Sequence, residues 1–230
     1  MTAPSPDAPR FTPVADHALL VEFAEAVSDP AHDAVVALDA ALPGANLPGF
    51  RECVPAYVSL LVAFDPQITD HHRIETAVRL CLTLARHRPK PGAARVVQVC
   101  YDDDLAPDLA QVARLTGLTP DQVIAAHLAA SYSVAMYGFA PGYAYLAGVA
   151  PPLHLPRKPA PIRNVPAGSV IIAGAQCLVT TLTMPTGWWI IGRSRTRILT
   201  GNPDRPFLFD MGDSVTFQRI GRAEYERADD

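Results

Sequence analysis

The stretch VPAGSVIIAGAQCLVTTLTMPTGWWIIGRS, residues 165–194, decides how this chain is read. It holds three short apolar runs, SVIIAG, CLVTTL and WWIIGRS, broken by glycine and proline. The same rhythm continues on both sides, with SYSVAMY at 131–137 before it and FLFD at 207–210 and SVTFQRI at 214–220 after it. Short strands at even spacing, separated by Gly, Pro and Asp turns, predict a closed or nearly closed β-barrel, which removes its own sheet edges.

Upstream the pattern differs. ALLVEF (18–23) reads as a strand, and Ser28-Asp29-Pro30 starts a helix whose apolar Val35, Leu38 and Leu42 recur at helical spacing before Pro43-Gly44 ends it. FRECVPAYVSLLVAF (50–64) is long for one strand, and its Pro55 cannot donate to a central ladder, so the run divides near 55–59. Thr69 opens a second helix with an Ile74, Val78, Cys81, Leu82, Ala85 stripe, and RVVQVCY (95–101) is a further strand. The order β-α-β-β-α-β is the ferredoxin-like pattern. PKPG (89–92) is the best linker, and the strand after it either completes the first domain or opens the second. The expected organisation is α+β: a loose tail at 1–12, a ferredoxin-like domain at 13–91 and a barrel domain at 92–222. The barrel domain starts with a short helix at 107–115 and another opened by Thr119-Pro120-Asp121-Gln122, a capping box.

Composition narrows the function classes. Of 230 residues 49% are hydrophobic, which excludes general disorder, and 19 basic against 23 acidic residues give a net charge of −4. That balance argues against nucleic acid or an anionic membrane as the main partner. No apolar stretch approaches a membrane span and no secretory signal is visible at the start, so a cytoplasmic location is expected. The four cysteines show no CxxC or zinc spacing and read as reduced, mostly buried thiols; no metal site is expected.

Phosphate-cradling P-loops, GxGxxG and HExxH motifs are absent from the sequence. Three features carry chemical interest. His127 lies four residues after Val123 and three after Ile124, so it shares their stripe and should face the barrel, either as a satisfied core histidine or as an acid/base group. GFAPGYAYLAG (138–148) joins flexible glycines to aromatic walls, either as a structural turn or as a ligand lining. Arg193, Arg195 and Arg197 alternate, which in a strand puts them on one face, either as an anion site or as a solvated edge.

GFAPGYAYL (138–146), VPAGSVIIAGAQ (165–176), PTGWWIIGRS (185–194) and FDMGDSVTF (209–217) together resemble the allophanate hydrolase subunit 1 family. That family, of the carboxyltransferase subdomain C and D type, includes the B component of 5-oxoprolinase, a Kip-type inhibitor of a sporulation kinase and part of urea carboxylases. The resemblance runs from about residue 12 to 221 and implies a ferredoxin-like domain followed by a cyclophilin-like barrel. It implies a site shared with a homologous second subunit, of the allophanate hydrolase subunit 2 type or the type of the 5-oxoprolinase C component. In the 5-oxoprolinase system a lactam-utilisation third subunit joins them. The resemblance further implies ATP used by the assembled complex.

Carried over residue by residue, the resemblance assigns catalytic roles to His127 and Arg193. It assigns substrate contacts to Gly138, Phe139, Pro141, Gly142, Tyr145, Arg163 and Gln176. This chain departs from the family at Ile162, at residues 178–181 and at Thr186, and Arg195 stands where proline is usual. The expected function is a subunit, inactive alone, of a heteromeric ATP-dependent amidohydrolase or carboxyltransferase acting on a lactam or urea-like amide. The alternative is a non-catalytic Kip-type inhibitor of a sensor histidine kinase.

Overall fold

A computed structural model of the chain describes residues 3–84 and 92–227. It divides into two compact units, 1–91 and 92–230. Most of the PKPG linker lies outside the described residues.

The first unit contains β1 (Arg10–Val14), β2 (Ala18–Glu22), α1 (Asp29–Ala41), β3 (Phe50–Pro55), β4 (Ser59–Phe64) and α2 (His71–Leu84). Helix α1 carries Pro30 in its first turn and buries Ala31, Val35 and Leu38 along one stripe. The 50–64 run divides at Pro55, and in β4 the alternating Leu60, Val62 and Phe64 are buried. These side chains form one core with Leu19, Val21, Phe23 and the α2 residues Ile74, Val78 and Cys81.

The sheet order is β1-β2-β4-β3, antiparallel throughout. The segment at 95–101 pairs in the other unit, the second of the two placements the sequence left open, and the fourth strand here is β1, which begins inside the stretch read as a loose tail and so corrects that reading. Pro13 disguises β1 in the sequence, and an edge strand is where a proline is tolerated. Arg10 fastens β1 to β2 through two bonds of 2.9 Å to the Glu22 carboxylate, and the Arg79 guanidinium lies 4.0 Å from the Phe11 ring centre.

The second unit runs β5 (Ala94–Val99), α3 (Leu109–Thr116), α4 (Pro120–Ala129), β6 (Tyr132–Tyr137), β7 (Ala144–Ala147) and β8 (Ile162–Val165). It continues with β9 (Ser169–Ala173), β10 (Gln176–Val179), β11 (Met184–Thr186), β12 (Trp189–Arg193), β13 (Ser214–Arg219) and α5 (Arg222–Arg227). Seven strands form one sheet in the order β12-β9-β10-β7-β6-β13-β5, with β13 and β5 parallel and the other pairs antiparallel. Its two edges meet. Cys100, just after β5, and Arg193, at the end of β12, exchange two backbone hydrogen bonds of 2.9 Å, so the sheet is a nearly closed barrel of the cyclophilin-like kind. β8 and β11 form a separate two-stranded ribbon.

All five residues of β9 are buried, because both faces of the strand are covered. Val170 and Ile172 join the barrel core with Val97, Leu146, Trp189, Ile191 and Phe217, to which α3 and α4 add Val112 and Val123. Ile171 and Ala173 pack on the other face with Leu178, Trp188, Ile190 and the ribbon residue Val165. Thr119 caps α4 as expected: its hydroxyl accepts from the Gln122 N–H, and the Gln122 side chain accepts from the Thr119 N–H.

Barrel closure depends on a missing side chain. A Cβ at Gly192 would stand 2.6 Å from Val99 Cγ1 and 3.1 Å from the Cys100 carbonyl. We expect Gly192→Ala to cost about 1–3 kcal/mol by overpacking, read as a lower urea midpoint at unchanged slope. An unchanged midpoint would show that the seam tolerates a wider gap.

Candidate functional site

His127 occupies the interior of the barrel. It has no exposed surface; its Nδ1 lies 2.8 Å from the Tyr101 hydroxyl and its Nε2 lies 3.7 Å from Cys177 Sγ. The Phe217 ring packs 4.4 Å from the imidazole centre, and the Tyr132 hydroxyl donates to the His127 carbonyl. A neutral imidazole offers one N–H and one lone pair, which these two neighbours use. Burial pushes its pKa down to about 3 and pushes the Tyr101 phenol and the Cys177 thiol up. The helical stripe therefore does aim His127 at the barrel, and the structure places it in the core with no exposed surface.

The 138–148 loop lies at a concave surface. Phe139, Tyr143 and Tyr145 line a pocket of about 130 Å³ with Trp188, Arg157 and Thr186, and Ile171 and Leu178 are also in its lining. Phe139 is 74% exposed at its rim and has a left-handed backbone, φ 72°. The Tyr145 and Trp188 rings meet edge to face at 5.9 Å, and the Arg157 guanidinium lies 5.6 Å from the Trp188 ring centre. Burial, with Tyr145 nearby, pushes the Tyr143 phenol up to about 12. The Arg157 segment is held by its neighbour: Lys158 pairs with Asp108 ahead of α3, and its N–H donates to the Gly187 carbonyl at 2.7 Å.

Pro141 and Gly142 are not in the lining of this pocket. The Pro141 carbonyl accepts from the Thr181 hydroxyl at 2.7 Å, and a Cβ at Gly142 would lie 2.8 Å from Leu199 Cδ2. Thr181 and Leu199 belong to a second, larger cleft of about 620 Å³, so the loop is a wall between the two.

Other expected site residues lie apart. Gly138 sits beside Tyr145, Arg163 is exposed on β8, and Gln176 begins β10 opposite Ala173 and Ala147, outside the lining of either hollow. Arg193 is half-buried at the seam and lines neither. The arginine row is not one strand, because β12 ends at Arg193 and residues 194–197 leave the sheet. There the Thr196 N–H turns back to Ser194 Oγ at 3.1 Å, a local turn in place of a strand. All four cysteines are free. Among the described residues no group of His, Cys, Asp or Glu could hold a metal ion, and no helix is long and apolar enough to cross a membrane.

Residues 9–209 match the family "Carboxyltransferase domain, subdomain C and D". The chain belongs to this family. It is 34% identical over 221 residues to the B component of the 5-oxoprolinase of Bacillus subtilis, covering 91% of this chain and 92% of that one. The crystal structure of TTHA0988 superposes with a TM-score of 0.80 at 36% identity, covering 89% of this chain but 40% of TTHA0988. The urea carboxylase of Kluyveromyces lactis shares the fold, with a TM-score of 0.75 at 17% identity over 98% of this chain and 23% of that one.

Within this carboxyltransferase-type barrel, sequence reading missed Arg157, Trp188 and Tyr143 as pocket residues. Trp188 and Tyr143 stand inside quoted motifs, so the signal was there; Arg157 lies in PRKP, which has no distinctive pattern.

His127 gives a pH prediction. Its folded pKa is depressed, so the unfolded chain takes up the proton near pH 6.5 while the folded chain waits until about pH 3. Its neutral state contributes fully above pH 6.5, and stability then falls by about 1.4 kcal/mol per pH unit as acid is added. From pH 7 to 5 the parent should lose about 2 kcal/mol more than His127→Gln in urea titrations. Parallel loss in both proteins would refute this.

Proposed function

We propose that this chain is one subunit of a heteromeric, ATP-dependent amidohydrolase of the 5-oxoprolinase type, and that its aromatic pocket holds a small amide carrying a carboxylate. The observation behind this reading is the pocket's chemistry: the rings of Phe139, Tyr143, Tyr145 and Trp188 with the Arg157 guanidinium beside them. Flat rings bracket a planar amide or lactam ring, and a guanidinium fork suits a carboxylate. The volume suits a single five-membered ring. The 34% identity to a 5-oxoprolinase component across nearly the whole chain supports the same substrate class.

An amide carbonyl is a poor electrophile. Phosphorylation of its oxygen by ATP in the assembled complex activates it; one water adds at the carbonyl carbon, the C–N bond breaks as the nitrogen takes a proton, and a second water hydrolyses the acyl phosphate left behind to carboxylate and phosphate. This chain's share is to bind and orient the amide through Arg157, Tyr145 and Trp188. We assign the nucleotide to the other subunits, since the sequence carries no P-loop. A homologous second subunit packs on the rim at Phe139, an exposed aromatic that suits a protein contact.

The test is ADP release by the chain co-purified with its homologous second subunit and a lactam-utilisation subunit. We expect 5-oxoproline-dependent turnover by the complex and none by the chain alone. Arg157→Ala should lower kcat/KM by about tenfold or more with little change in melting temperature, since it removes a contact worth roughly 1.4 kcal/mol, whereas Trp188→Ala should lower kcat/KM and also destabilise the fold by about 3–5 kcal/mol, because Trp188 is buried in the cluster beneath the pocket. Arg157→Lys should rescue poorly, because an ammonium lacks the planar fork. Full activity in Arg157→Ala, or no lactam-dependent ADP release by the complex, would overturn the reading.

A further inference from the structure

We propose that the shielded ion pair of Asp108 and Lys158 positions the Arg157 guanidinium at the aromatic pocket, which makes both of them positioning residues for the ligand held there. The proposal rests on the reading of that pocket as the amide site.

The segment that carries Arg157 has no ladder of its own. Residues 154–158 form neither helix nor strand, and Arg157 is exposed. A long side chain on such a segment samples many conformations unless its backbone is fixed. Here the backbone is fixed on both sides. The Pro156 carbonyl accepts from the Trp189 indole N–H at 2.8 Å, and the Lys158 N–H donates to the Gly187 carbonyl at 2.7 Å. These two anchors flank Trp188, so the walls bearing Arg157 and Trp188 are tied to each other, with the guanidinium 5.6 Å from the ring centre.

The charge pair adds a third tie. Asp108 stands at the N-cap of α3, where an aspartate ordinarily accepts from the first N–H groups of the helix, yet its side chain makes no such bond. Instead Asp108 Oδ2 accepts from the Ile190 N–H at 2.7 Å and from the Lys158 ammonium, while the Asp108 N–H donates to the Ile190 carbonyl at 3.1 Å. One oxygen therefore joins the start of α3, strand β12 and the Arg157 segment. The pair is shielded, with side chains 9% and 14% exposed for Lys158 and Asp108, and the ammonium also lies 5.4 Å from the Trp189 ring centre.

Stability alone does not account for such a pair. Two charges taken out of water lose hydration that their attraction only partly offsets, and apolar residues of similar volume often serve a fold as well. What an apolar pair lacks is direction. A carboxylate oxygen that holds two donors fixes where the Lys158 stem lies, and with it the residue just before.

The test replaces the pair as a unit, Asp108→Asn with Lys158→Met, so that no charge is left without its partner, and a thermal melt checks the fold. If that protein melts far below the parent, Asp108→Asn alone, which keeps an acceptor for the Ile190 N–H, carries the same readouts. The first readout is the indole N–H signals of the full isotope-labelled chain without ligand, assigned with Trp188→Phe. We expect the pair variant to move the Trp188 signal towards its position in Arg157→Ala; an unmoved signal would overturn the proposal whatever the activity. The second is kinetic, in complex with the other subunits. The pair variant should raise KM for 5-oxoproline about tenfold with kcat nearly unchanged, and in an Arg157→Ala background the same replacement should change kcat/KM by less than about twofold. Where Arg157→Ala itself loses activity, an unchanged KM in the pair variant, or equal losses with and without Arg157, would overturn the proposal and leave the pair a role in the fold alone. A moved Trp188 signal in a complex without lactam turnover, or with full activity in Arg157→Ala, would support the positioning and overturn the reading of the pocket.

Discussion

Two backbone hydrogen bonds between Cys100 and Arg193 turn a curved sheet into a barrel. Each contributes about 0.5–1.5 kcal/mol net, less than the roughly 1.5–3 kcal/mol from fully burying one of the barrel's Ile or Leu side chains. The seam is therefore not what makes the unit stable. Its importance is geometric. It brings the two edge strands together, covers backbone groups that would otherwise template aggregation, and sets where the chain leaves the sheet. After Arg193 the chain turns, with the Thr196 N–H donating to Ser194 Oγ, and the ladder stops. The arginine-bearing segment peels away and forms the rim of the larger cleft.

The same closure forces one sheet to serve two environments. Along β9 and β10 successive side chains alternate between the barrel core and the outer face, so Ile172 and Cys177 lie inside while Ile171 and Leu178 line the aromatic pocket. A pocket wall built on strands is held by the packing of their opposite faces, and this favours precise binding over a floor made of loops. The polar and aromatic contacts are left to the other walls, which come from the 138–143 loop and the segments around Arg157 and Trp188.

What the sequence revealed followed from local periodicity. Runs such as SVIIAG read as strands because both faces are buried, the Thr119 capping box marked the start of α4, and Pro55 marked the division of a hairpin. What stayed hidden was set by distance along the chain or by a local exception. Strand β5 pairs in parallel with β13, more than a hundred residues later, and no short-range signal announces such a partner. Pro13 concealed β1. The pocket is assembled from positions 139, 143, 145, 157 and 188, which share no period, so Phe139 and Tyr145 were recognised through a motif while Arg157 was not. For the arginines a period of two was read correctly, but the strand it presumed stops at the first of them.

His127 shows most clearly how placement and role diverge. A helical stripe predicts which way a side chain faces and says nothing about what it meets there. In this barrel it meets Tyr101 and Cys177, whose hydroxyl and thiol match its two ring nitrogens, with aromatic rings filling the rest of its surroundings. Such a satisfied polar group can specify how α4 sits on the strands, because any shift of the helix would break a hydrogen bond that water cannot replace in a dry interior. A polar group matched in this way within the core fixes the architecture without taking part in what the surface binds.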